Sequence, residues 1–276
     1  MEQTYEQVIR CYDRKGLEET LLRAINDELG EKPEIKSKDL ASIDEFHIRG
    51  QESTVELARL LEEVDGREVL DVGCGLGGTA RYLASSFDCR VTGIDLTPTY
   101  VSLAEKFSQM VGLANETSFY EASALELPFS NGEFDVAWME HVQMNIPWKD
   151  QLAREVSRVL KQDGIFVFHE IFSVSEAEPH LPVPWADVPS GSFLVSKEDF
   201  LLSLEEAGLE SIQWKDVTQP SLQWFNTVME RLAGSGPPPL GLHLLMGESA
   251  QTKLGNVGKN LEENRICVAQ SMYRKR

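Results

Sequence analysis

The residues best placed to do chemistry in this 276-residue chain begin with "VLDVGCGLGG", Val69–Gly78. A strand that ends in a glycine-rich turn and opens a helix aims backbone N–H groups and a helix dipole at a ligand. Gly73, Gly75 and Gly77 let the backbone come close to it. That geometry suits NAD, and equally any other nucleoside ligand lying at the carboxyl ends of the strands. Asp71 stands two residues before the first glycine, where a carboxylate opposes a pyrophosphate but suits a cation such as a sulfonium with an α-amino group. Asp95 ends the next strand-like run and can accept from both hydroxyls of a ribose, under either reading.

A second group closes the run "FDVAWMEH" with Glu140 and His141. His141, with an ordinary pKa near ~6.5, can take a proton at neutral pH; its alternative role is to hydrogen-bond a cofactor or a neighbouring loop. His47, in "DEFHIRG", precedes a helix whose N-terminus can face a carboxylate, or it caps and packs. Arg49 can pair with a carboxylate or stay solvated. Trp148, Trp185 and Trp224 can wall off an acceptor, aromatic faces attracting amines by ~0.5–2 kcal/mol, or they form a hydrophobic lid. Gln143 and Asn145 can orient a polar acceptor. The cysteines, Cys11, Cys74, Cys89 and Cys267, are scattered, with no CxxC and no Cys/His cluster. That points away from zinc and from a disulfide framework, and no metal is expected.

The elements that must position these groups are legible as patterns. Residues 1–50 are rich in helix formers, with Leu17, Leu21, Leu22, Ile25 and Leu29 at helical spacing, and a second helix is expected from Gln51 to about Glu63. From Val69 onward short apolar runs alternate with amphipathic segments, the mark of βαβ units and a parallel sheet. Strands are expected at 68–72, 90–95, 117–121, 134–139 and 165–171, with helices opening near Gly78, Pro98 and Trp148. Ser196 reads as a helix N-cap. A strand over "LESIQWKDVT", a helical stretch broken by "GSGPPPLG" and a β-like end, "NRICVAQSMYRK", complete the chain.

Composition narrows the partners. An apolar fraction of 42% can build a full core. The net charge of −19 repels a polyphosphate, so nucleic acid is disfavoured as a partner. No apolar run approaches the ~18 residues of a membrane span, and the N-terminus is polar. A cytoplasmic monomer or homodimer acting on a small molecule, with no membrane partner, is the expectation.

These stretches resemble the class I S-adenosylmethionine-dependent methyltransferases. "VLDVGCGLGG" is similar to their first motif, "VTGIDLTP" to the second, and "ALELPFSNGEFDVAWMEHVQMNI" to the third and fourth. "REVSRVLKQDGIFVFHEI" is similar to the helix and strand next in order. "DEFHIRGQESTVELARLL" and "HVQMNIP" look like the small-molecule branch related to glycine, sarcosine and dimethylglycine N-methyltransferases. The resemblance implies an α/β, Rossmann-like seven-stranded sheet, mostly parallel with the last strand antiparallel, and helices on both faces. A helical cap (1–63) precedes the catalytic domain (64–276), which carries lid insertions at about 173–195 and 219–262. It implies S-adenosylmethionine as cofactor and S-adenosylhomocysteine as product. Asp71, Gly73, Gly75 and Gly77 would line the methionine half. Asp95 would bind the ribose, with Leu96 against the adenine, and Ser123, Ala124 and Leu125 would frame it. Glu140 and His141 would lie beside the sulfonium, with His47, Asn145, Trp148, Trp185 and Trp224 toward the acceptor. One departure is Ser123, where many members carry an Asp that accepts from the adenine amino group. The expected reaction moves a methyl to N or O of a small acceptor, an amine or amino-acid-like molecule favoured by the resemblance alone. The alternatives are a cofactor-binding protein without catalysis and an NAD-dependent oxidoreductase.

Overall fold

The computed structural model describes residues 2–61, 65–174 and 177–276. Helices α1 (Glu2–Tyr12), α2 (Leu17–Leu29), α3 (Ser37–Asp44) and α4 (Gln51–Ala58) come first. The apolar stripe of α2 is buried as its spacing predicts: Leu17, Leu21, Ile25 and Leu29 pack with Leu40 and Ile43 of α3. Helix α4 ends at Ala58, where short-range bonds from Leu60 N to Leu57 O and from Leu61 N to Ala58 O tighten its last turn. The expected end near Glu63 lies outside the described residues.

The alternating part runs β1 (Glu68–Val72), α5 (Gly78–Phe87), β2 (Arg90–Asp95), α6 (Pro98–Met110), β3 (Thr117–Glu121), β4 (Phe134–Glu140), α7 (Lys149–Val159), β5 (Leu160–Ser173), α8 (Lys197–Glu206) and β6 (Leu209–Asp216). Helices α9 (Thr218–Ser235), α10 (His243–Met246) and α11 (Ala250–Glu262) are inserted before β7 (Ile266–Lys275). The seven strands lie in the order β3-β2-β1-β4-β5-β7-β6; β1 to β5 pair in parallel and β7 is antiparallel to both neighbours. This is the expected α/β sheet, with the helical insertion before the last strand.

The central strands are apolar on both faces because helices cover both. In β4, Val136 and Trp138 point into one core, and Ala137 and Met139 into the other. The one notable boundary shift is β5, which starts at Leu160 and not at Ile165. Leu160 pairs with Phe134, the register then shifts, and the chain passes through Asp163 at φ 61° before Ile165 meets Val136. At α8, Ser196 Oγ accepts from Asp199 N at 3.1 Å, the expected cap.

Candidate functional site

Because β1 and β2 are parallel neighbours, the segments that leave them lie side by side. Gly73 N and Cys74 N both donate to Ile94 O, at 2.8 and 2.9 Å, tying the glycine turn to the end of β2. Asp95 completes the knot: its Oδ2 accepts from Gly75 N at 3.0 Å and its Oδ1 from Thr97 N at 2.8 Å. Burial raises the Asp95 pKa, and those N–H groups pull against the rise. Gly75 sits at φ 54°, and a Cβ there would meet nothing within 4 Å, so this side of the turn is open. Gly73, at φ 72°, passes so close to Val142 that a Cβ would lie 2.4 Å from Cγ2.

The opening is a cavity of about 930 Å³, its mouth included. Gly73, Gly75, Asp95, Leu96 and the Ser123–Leu125 segment line it, with Glu140, His141 and Asn145. Three of the expected site residues stand elsewhere. Asp71 lies on β1 behind the cavity wall, buried, with Oδ2 lacking a partner. Gly77 packs inward, where a Cβ would come within 2.8 Å of Arg81 Nη1 and of the Phe119 ring. Trp148 precedes α7 and packs on the main core, outside both cavities.

Behind the wall the charge is one-sided. Glu45 and Asp71 are buried there, Glu140 reaches the cavity, and His47 is the cation beside Glu45 and Glu140. His47 Nε2 contacts Glu45 Oε2 at 2.8 Å and Glu140 Oε2 at 3.6 Å. Burial opposes a charge on His47, but the two carboxylates outweigh it and raise its pKa to about 9. Burial likewise raises Glu140, against His47, and pushes Asp71 well above the usual carboxylate range, helped by Glu140 and Glu45. Glu45 Oε1, Asp71 Oδ2 and Glu140 Oε1 have no hydrogen-bond partner. A cationic ligand in the cavity would offset this surplus, and a diphosphate would aggravate it. Glu45, His47 and Glu140 also bring ligand atoms within 4.8 Å of one another, a grouping that the scattered sequence positions did not announce. Glu140 Oε2 is already taken by donors: Thr54 Oγ1 at 3.1 Å, Thr79 Oγ1 at 2.9 Å and Trp138 Nε1 at 3.0 Å. The grouping is therefore organised as a hydrogen-bonded ion network.

His141, at φ 55°, separates this cavity from a second one. Its ring stacks on His169 with centroids 4.9 Å apart, and His47 lies edge-on at 6.1 Å. Burial, then the neighbouring His169 and His47, depress the His141 pKa well below the imidazole range. The ring is thus neutral at physiological pH, and its buried Nε2 has no partner. The second cavity encloses about 510 Å³, its mouth included. Ile171 of β5, Trp224 and Phe225 of α9, Leu254 and Val257 of α11, Trp185 from the 173–195 insert and His47 wall it, with Tyr12, Phe46 and His141 at the junction. Of the residues expected toward the acceptor, His47, Trp185 and Trp224 meet here. Asn145 faces the first cavity, where its Oδ1 accepts from Tyr12 OH at 3.3 Å. Arg49 is engaged bidentately by Glu56, at 2.9 and 2.6 Å, and offers nothing to a ligand carboxylate.

Two features escaped the sequence reading. Tyr5, Val8 and Tyr12 of α1 cover the first cavity, and Tyr5 OH hydrogen-bonds Ser123 Oγ at 2.7 Å. Their i, i+3, i+7 spacing was the available signal. Lys149 is buried, donating to Gln143 O and Ile146 O and, at 2.8 Å, to Phe193 O. Three carbonyls need three N–H donors, so the ammonium is the form held, although burial lowers its pKa to about 7 against the pull of Glu170. Glu170, raised by burial to about 8, accepts from Val142 N at 2.7 Å. The pair ties the His141 loop to the insert that carries Trp185.

Residues 70–168 match the family model described as a methyltransferase domain. Methyltransferase GfsG of Streptomyces halstedii is 28% identical over 184 residues, covering 66% of each chain. A sarcosine/dimethylglycine N-methyltransferase of Halorhodospira halochloris is 26% identical over 164 residues, 59% of each. The chain spans no more than about two thirds of the length of these relatives. Among solved structures, the [4+2]-cyclase SpnF aligns with a TM-score of 0.67 and 25% identity over 95% of both chains. Residues 70–168 thus resemble a methyltransferase domain, and the sheet has the Rossmann-like order seen in solved methyltransferase-fold structures. Among the described residues no helix is long and apolar enough to cross a membrane.

Proposed function

Because residues 70–168 are a methyltransferase domain, we propose that the chain transfers a methyl group from S-adenosylmethionine to an oxygen or nitrogen of a small molecule. The observation that carries this reading is the meeting of two unlike cavities at the neutral His141 imidazole. When bound, S-adenosylmethionine supplies an electrophilic methyl whose bond to sulfur breaks, with its electron pair left on sulfur, as the acceptor's lone pair bonds to carbon. The protein's work is alignment and exclusion of water, and alignment alone can account for ~7–11 kcal/mol of barrier.

In this reading Asp95, pre-oriented by Gly75 N and Thr97 N, holds the ribose hydroxyls. Ser123, Ala124 and Leu125 frame the adenine, with Leu96 against it. Gly73 and Gly75 admit the methionine half, and Glu140 meets its ammonium end, with Asp71 behind the wall. Residues 1–63 serve as a cap, α1 lying across the cavity. The His141 imidazole accepts the hydrogen of the acceptor group and takes its proton as that atom gains positive charge. A methylated hydroxyl oxygen is so acidic that even a weak base suffices. An alkylammonium, with a pKa near ~10, would first have to lose its proton to a histidine too weakly basic to remove it. The amine or amino-acid-like acceptor suggested by the resemblance is therefore narrowed to a hydroxyl or a weakly basic nitrogen. A cytoplasmic location and a monomer or homodimer belong to the same proposal.

The likeness to a [4+2]-cyclase over nearly the whole chain favours a second reading, in which the two cavities bind cofactor and small molecule without methyl transfer. Incubation with methyl-labelled S-adenosylmethionine and a small-metabolite library, with mass identification of labelled product, separates the two. A labelled product establishes transfer. Heat from S-adenosylhomocysteine binding with no labelled product supports the second reading, and neither heat nor label overturns both.

A further inference from the structure

The second cavity, read on its own, says what kind of molecule fits beside His141. Among the described residues no carboxylate, lysine or arginine lines it. The polar groups that do are nearly all engaged. Tyr12 OH donates to Asn145 Oδ1, and Trp185 Nε1 donates to Ser192 Oγ at 3.0 Å. His47 uses Nδ1 on Ser53 Oγ at 3.0 Å and Nε2 on Glu45. What remains is the imidazole of His141, which also lines the wall. The walls come from α9, α11, the end of β5 and the 173–195 insert, and their side chains form one apolar cluster.

An anionic acceptor would leave water and find no free cation, since the charge of His47 is already flanked by Glu45 and Glu140. A cationic acceptor would meet the indole faces, which attract it, but would find no carboxylate in the wall to pair with once it leaves water. A neutral molecule with an apolar body loses little by entering and needs a single polar group, opposite the His141 imidazole.

Resting on the methyl-transfer reading of this site, we propose that the acceptor is an uncharged, largely apolar molecule. It buries its skeleton among Ile171, Trp185, Trp224, Phe225, Leu254 and Val257 and presents one hydroxyl to the His141 imidazole. Sarcosine-like zwitterions are excluded by the same walls.

The test titrates the full chain with 4-butylphenol, 4-butylbenzoate and sarcosine, with and without saturating S-adenosylhomocysteine. Tryptophan fluorescence and heat are followed, since Trp185 and Trp224 report on the cavity directly. The phenol is expected to bind at least ~10-fold more tightly than either charged probe. Leu254→Arg, at a half-buried wall position, is expected to weaken the phenol at least ~10-fold while S-adenosylhomocysteine affinity stays within about twofold. Trp224→Ala gives a second wall variant should the arginine compromise folding, with the same loss expected. The proposal is overturned if sarcosine or the benzoate binds as well as the phenol, or if a folded wall variant leaves phenol binding unchanged. If S-adenosylhomocysteine gives no heat but phenol binding persists and responds to the wall variants, the methyl-transfer reading falls and the apolar assignment stands.

Discussion

The two cavities that meet at His141 are built by opposite means. The first is a backbone device: the turn at Gly73–Gly75 and the end of β2 interlock through main-chain N–H groups and one carboxylate, Asp95. Its charge is one-sided, with unpartnered carboxylate oxygens held behind the wall. The second has almost no backbone chemistry. It is apolar side-chain surface gathered from α9, α11, β5 and an irregular insert. Under the proposed function, recognition of the cofactor and of the acceptor would be separable, with His141, Tyr12 and Phe46 between the two cavities. Each cavity can then change without redesign of the other.

That separation can be broken or sharpened experimentally. The largest effect is expected at the partition itself. His141→Ala should lower label transfer by ~10²–10⁴-fold, with S-adenosylhomocysteine affinity, measured by calorimetry, changed no more than a few-fold; loss of binding in both cavities would make the ring a structural wedge instead. Next comes the strut that joins the two sides. Lys149→Met removes a buried ammonium from three carbonyls, and a chemical-denaturation curve should show a loss of about 3 kcal/mol, in line with breaking buried charged interactions. Both cavities should lose affinity together in this variant. Asp95→Ala should then weaken S-adenosylhomocysteine by roughly 100-fold, the value of two hydrogen bonds to a charged group at ~1.5 kcal/mol each, and leave 4-butylphenol binding intact. A parallel fall in phenol affinity would contradict the separation.

The smallest effect concerns pH. His47 is raised from about 6.5 to about 9 in the folded state, so its stabilising contribution is complete below pH ~6.5 and is lost as pH rises through ~9. Glu170, an acid raised from 4.5 to about 8, contributes with the same sign, its stabilisation lost as pH climbs over that interval. Lys149, a base lowered from 10.5 to about 7, acts with the opposite sign over pH 7 to 10.5, so the net fall in melting temperature between pH 6.5 and 9.5 is expected to be partly offset and no more than a few degrees. The difference between wild type and His47→Gln isolates the His47 part, and identical slopes would show that His47 carries no charge at neutral pH.

How much of this was readable beforehand differs between the two halves. The bounds of β1 and β2 are set by short apolar runs closed by glycine or acid, because a central parallel strand buries both faces and admits little else. Asp95 is legible because its job depends only on ending a strand next to the glycine turn. Asp71 and Gly77, in contrast, look like ligand contacts from spacing alone. Asp71 points behind the wall, as side chains on a strand alternate sides, and Gly77 is required by the nearness of Arg81 and Phe119. Trp148 illustrates the same weakness: an aromatic near a site in sequence packs where the core has room, and for Trp148 that is the main core.

The amino-acid sequence by itself determined the sheet, its glycine turn and the acid that closes it, since these depend on residue types within a few positions and on main-chain hydrogen bonds. Tertiary structure alone decided the charge of His47, the neutrality of His141 and the apolar character of the second cavity. Glu45, His47 and Glu140, and likewise Ile171, Trp185, Trp224 and Val257, are separated by segments whose folding sets the distances. A pKa and a cavity wall depend on what surrounds a group in space, and neighbours in space are not neighbours along the chain.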